Sequence, residues 1–163
     1  MPDLPPPAHV IVIQADDLGI DDLGFSGNPL AHTPNLDRFA TEAIQVLDFT
    51  VNPVCAPSRA TLLTGRHFLL TGVSHVHGGK DFLHLNERTI ADAMRSAGWR
   101  TGMWGKWHLG RGPRYDPWER GFEEAYAAEL YDHKNTHGEL NGEGVQFEKW
   151  GDDAIVDSAL DFL

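Results

Sequence analysis

The residue types best suited to chemistry begin with Cys55, the only cysteine in the chain. It opens the stretch C-A-P-S-R-A-T-L-L-T-G-R, in which Pro57 can start a helix and Gly65 can close it about two turns later. Cys55 is then expected just before a helix N-terminus, where unpaired N–H groups and the helix dipole favour anions. Arg59 lies four residues on, so one helical turn can return its guanidinium to the same side. The pattern joins a nucleophile, an anion-favouring helix end and a fixed cation. The same residues taken singly also fit a small buried hydrophobe and a surface charge.

Two further clusters carry functional groups. Asp16 and Asp17 follow the β-branched run H-V-I-V-I-Q-A, His9 to Ala15. Neighbours in a regular strand point to opposite faces, so these carboxylates can share one cation only where the strand ends and the backbone bends. All-oxygen ligands suit Ca²⁺ or Mg²⁺ rather than zinc. The pair also fits an ordinary polar strand exit. Lys106 and His108 sit at alternate positions of G-K-W-H-L-G, which directs both to one side of extended backbone. A solvated lysine and a structural histidine are the alternative there. His75 and His77 also alternate, but two histidines without a third ligand read as a polar loop at a cleft rim rather than a zinc site.

Elements that could position these groups follow from pattern. His9–Ala15 reads as a central strand buried on both faces of an α/β sheet. Thr33-Pro34 opens a helix with Leu36, Phe39, Ala40 and Ala43 at helical spacing. A short strand is expected over Gln45–Thr50, leading into the cysteine loop. Asn86 caps a helix running to Ala97, which Gly98 ends, and Thr101–Trp104 forms the next strand. Arg111–Gly144 shows no clean period and reads as an irregular, substrate-facing excursion. Asp152–Leu163 is helical. Residues 1–8 form a proline-rich lead-in, disordered or extended, before a single domain over 9–163. No repeat and no second linker is visible.

Composition narrows the function classes. The chain of 163 residues has 41% hydrophobic content and five Trp, as a globular protein should. Against 13 Lys plus Arg stand 24 Asp plus Glu, a formal charge of -11, which disfavours nucleic acid as a partner. One cysteine cannot form an internal disulfide. No stretch reaches the length of a membrane span, and the N-terminus lacks the features of a secretory signal. A cytoplasmic location is expected for the sequence as written, and a periplasmic or secreted one if it starts upstream.

The run C-A-P-S-R followed by T-G resembles the signature of the type I sulfatases, members of the alkaline phosphatase superfamily. T-P-N-L-D-R-F-A, the Asp16-Asp17 pair and G-K-W-H-L-G are similar to further segments of that family. The resemblance implies an α/β fold with a mainly parallel sheet flanked by helices, here only the N-terminal portion of it and incomplete. It implies that Cys55 is oxidised to formylglycine by a maturation enzyme, and that the hydrated aldehyde attacks the sulfur of a sulfate ester. It further implies calcium, ahead of magnesium, held by Asp16, Asp17 and the modified Cys55. Catalytic roles fall to Cys55, Arg59, Lys106 and His108. The substrate would be a small-molecule or carbohydrate sulfate ester. The later metal and sulfate ligands of the family have no counterpart here, so a fragment inactive by itself is expected. A phosphonate or phosphate ester hydrolase of the same superfamily and a non-catalytic fragment are the alternatives. Oligomeric state is left open.

Overall fold

A computed structural model describes residues 9–129 and 131–163. The proline-rich lead-in over 1–8 lies outside the described residues. The chain divides into two compact units, one running through Thr50 and the other Val51–Leu163.

In the first unit the helix α1, Pro34–Glu42, starts where the sequence places it, with Thr33 as N-cap and Pro34 at the first helical position. The Thr33 hydroxyl does not cap a helical N–H. It donates to Asp37 Oδ1 at 2.8 Å and accepts from Gly24 N at 2.9 Å, tying α1 to the preceding turn. Two expected strands are absent. His9–Ala15 and Gln45–Thr50 form no strand, and Ile13 is 92% and Leu47 81% exposed. A β-branched run favours extended backbone, but a strand exists only when a ladder pairs it.

The second unit is built on a four-stranded sheet in the order β1-β2-β3-β4, comprising β1 Gly102–Gly105, β2 Glu124–Ala128, β3 His137–Leu140 and β4 Glu143–Gln146. β1 and β2 are parallel, with Gly105 opposite Ala127, whereas β2-β3 and β3-β4 are antiparallel. The α/β class holds, but among the described residues the sheet is mixed rather than mainly parallel. The strand expected at Thr101–Trp104 is β1, shifted by one residue. The excursion expected to be irregular over 111–144 instead supplies β2, β3 and the start of β4. Asn141 and Gly142 close the β3–β4 hairpin at φ 49° and 89°, the left-handed pair that a two-residue turn of this hand requires.

The same unit carries the helices α2 Cys55–Thr64, α3 Ile90–Ser96 and α4 Gly151–Phe162. α3 is shorter than the helix expected from Asn86. Thr89 is the true cap, in a reciprocal capping box with Asp92. α4 packs on β1, and Ile155 lies at ordinary contact distance, 3.4 Å, from where a side chain at Gly105 would begin. The core joins Ala56 and Ala60 of α2 to Val73, Leu83, Ala91, Trp107, Leu109, Phe122 and Ala125. Arg120 crosses beneath it, 4% exposed, donating to the carbonyls of Leu83, His84 and Glu87 at 3.4, 3.1 and 3.0 Å.

Candidate active site at the head of the cysteine helix

Cys55 is the first residue of α2 rather than the one before it, and Val54 is the N-cap. Pro57 is the third helical residue, where the missing N–H is one of the four that have no intrahelical acceptor in any helix. The proline is buried with Ala56, Arg59 and Ala60. Ser58 turns its hydroxyl back to the carbonyls of Asn52 and Val54, each at 3.0 Å. Asn52 donates to the Pro57 carbonyl at 3.1 Å and to Thr61 Oγ1 at 2.9 Å, so the entry loop is laced to the helix it feeds. Gly65, at φ 65°, takes the left-handed C-cap position that the sequence assigns it.

The four residues expected to share a site do converge within this unit. Cys55 Sγ lies 3.3 Å from His108 Nδ1 across 53 residues of sequence. Arg59, 8% exposed, donates through a terminal nitrogen to the Lys106 carbonyl at 2.7 Å. This bond fixes the cysteine helix against the end of β1. Lys106 and His108 are half-buried and alternate with buried Trp107 and Leu109. Trp107 is anchored by its indole N–H on the Tyr115 carbonyl at 2.9 Å. The alternation matches the sequence pattern, but its cause differs, because β1 stops at Gly105 and His108 has φ 60°. A left-handed backbone on a histidine costs energy and persists only when its surroundings hold it.

One contact carries no sequence signal of its own. His108 Nε2 lies 2.7 Å from the carbonyl oxygen of Val76. Val76 sits between His75 and His77, which are exposed with their rings 4.8 Å apart. The alternation that marks the two histidines as polar also turns Val76 inward, and this was the available clue.

Asp16 and Asp17 belong to the other unit. Both are exposed and sit at a bend after the extended run, with Asp17 at φ 56°. Carboxylate oxygens are ligands that hard divalent cations accept. Among the described residues no group of three or more His, Cys, Asp or Glu side chains gathers into a metal cage.

Comparison with known proteins extends these observations. The sulfatase family profile matches residues 8–163. Arylsulfatase G of Rattus norvegicus is 44% identical over 124 residues, covering 72% of this chain and 23% of the relative. Arylsulfatase A of Homo sapiens is 46% identical over 112 residues, covering 66% and 22%. The chain thus spans about a quarter of the length of the curated relatives it matches. Among solved structures, Ps i-CgsB superposes with a TM-score of 0.80 at 29% identity, covering 90% of this chain and 39% of that one. BT4656, solved in complex with its substrate D-glucosamine-2-N,6-O-disulfate, gives 0.78 at 28% identity, with 90% and 29% covered. These neighbours have the alkaline-phosphatase-like fold. A profile match that takes in both units and the whole cysteine helix leaves one conclusion, that the chain belongs to the sulfatase family.

Proposed function

We propose that the whole protein hydrolyses a sulfate ester, with Cys55 as the nucleophilic position. The observation that carries this reading is the joint geometry of Cys55 Sγ at 3.3 Å from His108 Nδ1 and Arg59 bonded to the Lys106 carbonyl at 2.7 Å. The thiol here stands in for the oxygen of the modified residue. Once oxidised to formylglycine, Cys55 supplies a hydrated aldehyde, with one hydroxyl to attack sulfur and a second whose deprotonation re-forms the aldehyde and releases sulfate. Asp16 and Asp17 would offer oxygen ligands to a divalent cation, calcium ahead of magnesium, which would supply Lewis acidity.

The chain's own residues divide the remaining work. Arg59 offsets negative charge at the head of α2 while its bond to the β1 end holds position. Lys106 binds the sulfate group and stabilises charge that develops in the transition state. His108 faces the nucleophilic atom and exchanges its proton. A carbohydrate sulfate is the favoured substrate class, supported by the BT4656 complex and by a Ps i-CgsB complex with k-i-k-neocarrahexaose. The test is mass spectrometry of the Cys55 peptide from cells that carry a maturation enzyme, together with turnover of an aryl sulfate by the whole protein. The expected result is an aldehyde at residue 55 and sulfate release that Cys55→Ala abolishes. An unmodified thiol throughout, or an active alanine variant, overturns the proposal.

A further inference from the structure

We propose that Val76 is a positioning residue, whose main-chain carbonyl holds His108 as the Nε2–H tautomer and so makes Nδ1 the proton acceptor facing residue 55. The catalytic meaning of this inference rests on the function proposed above; the tautomer itself does not. A carbonyl oxygen can only accept, so an imidazole nitrogen 2.7 Å from it carries the hydrogen. A neutral ring has one N–H, and Nδ1 is left with its lone pair 3.3 Å from Cys55 Sγ. Had Nδ1 carried the hydrogen, His108 would donate to the nucleophile rather than accept from it. The contact therefore selects between two opposite roles for one side chain.

The segment around Val76 is built to hold that carbonyl still. Lys80 O accepts from both Ser74 N at 2.8 Å and His75 N at 3.1 Å, closing a tight loop. Gly78 and Gly79 turn the chain within it at φ 70° and 76°. Val73, fully buried, anchors the entry, and the Val76 side chain packs against the same core. On the exit, Leu83 N donates to Leu109 O at 3.2 Å, the residue next to His108. Loop and histidine are thus referred to one frame, and His108 keeps its left-handed backbone within it.

The test uses the 163-residue chain with its unmodified thiol, labelled with ¹⁵N-histidine, above the imidazole titration range. His75 and His77, both exposed, serve as internal references. The expected spectrum shows His108 as a single Nε2–H tautomer whose ring proton exchanges with water far more slowly than theirs. A variant carrying both Gly78→Ala and Gly79→Ala strains the loop without a steric clash, because nothing lies within 4 Å of either added methyl. Its His108 ring proton should exchange about tenfold faster or more, given the cost of left-handed backbone at two alanines. A predominant Nδ1–H form, or wild-type exchange as fast as that of His75 and His77, overturns the proposal even if the variant fails to fold. An unchanged exchange rate in the folded variant overturns it too. None of these readouts needs turnover, so they separate this inference from the proposed reaction.

Discussion

Replacing Arg120 by methionine should be among the most damaging single changes in the second unit. The guanidinium is 4% exposed, and burial holds its pKa below the ordinary arginine value against the opposing pull of Asp92, Tyr115 and Glu87. Methionine keeps much of the stem volume and donates nothing. The carbonyls of His84 and Glu87 lose donors at 3.1 and 3.0 Å, and the longer bond to Leu83 O goes as well. With about 1.5–3 kcal/mol for each of the two good bonds from a charged donor, the loss is about 3–6 kcal/mol. This is a large part of the stability of an ordinary domain. All five tryptophans, at 99, 104, 107, 118 and 150, lie in this unit, so their fluorescence during urea unfolding reports on it alone. At an m-value of about 2 kcal/mol/M the midpoint should fall by roughly 2 M. Arg111→Met is the control, because that arginine is 61% exposed and its ion pair with Glu129 at 2.9 Å should contribute less than about 1 kcal/mol. Equal midpoints for the two variants would refute the reasoning that a buried fork of donors, not charge as such, ties 83–87 to the core.

Other perturbations separate steric from conformational causes. Gly121→Ala brings a methyl to 2.5 Å from Asp92 N at φ 97°, and circular dichroism should show the fold lost or weakened by more than about 3 kcal/mol. Gly65→Ala meets nothing within 4 Å, so only the left-handed conformation is penalised and urea unfolding should register about 1–2 kcal/mol. Thr89→Ala removes the acceptor for Asp92 N and the donor to Arg120 O at 2.8 Å, and thermal melts should show a loss of about 1–2 kcal/mol. In the whole protein, comparing aryl sulfate with phosphate diester and phosphonate esters should give turnover of the sulfate in preference.

What the sequence reveals most clearly is local. The cysteine helix, its glycine stop, the proline start of α1 and the extent of α4 are all set by neighbours within a few residues, and each lies within one residue of where pattern places it. The convergence of Cys55, Arg59, Lys106 and His108 follows from the family resemblance and from that local order. Strands are a different matter. Glu124–Ala128 has little β propensity in E-A-Y-A-A, yet it is a strand because β1 and β3 pair with it on both sides. His9–Ala15 has the propensity and is not one. Asn86 is an adequate cap in isolation, but Thr89 three residues before Asp92 satisfies two donors reciprocally and sets the boundary. The Val76 contact joins residues 32 apart through main chain, and a main-chain oxygen has no letter in the sequence.

The absence of a side chain at Gly105 has a wider consequence. With φ 115° there and Ile155 of α4 lying against it, the backbone that leads to Lys106 is backed by α4. Drift in the 151–162 segment, by substitution or thermal fraying, should reach the lysine's main chain sooner than it reaches the thiol. It would pass on to Arg59 through the carbonyl the two residues share. Residues remote from any reacting atom thereby become a tuning screw for the spacing between cation and nucleophile.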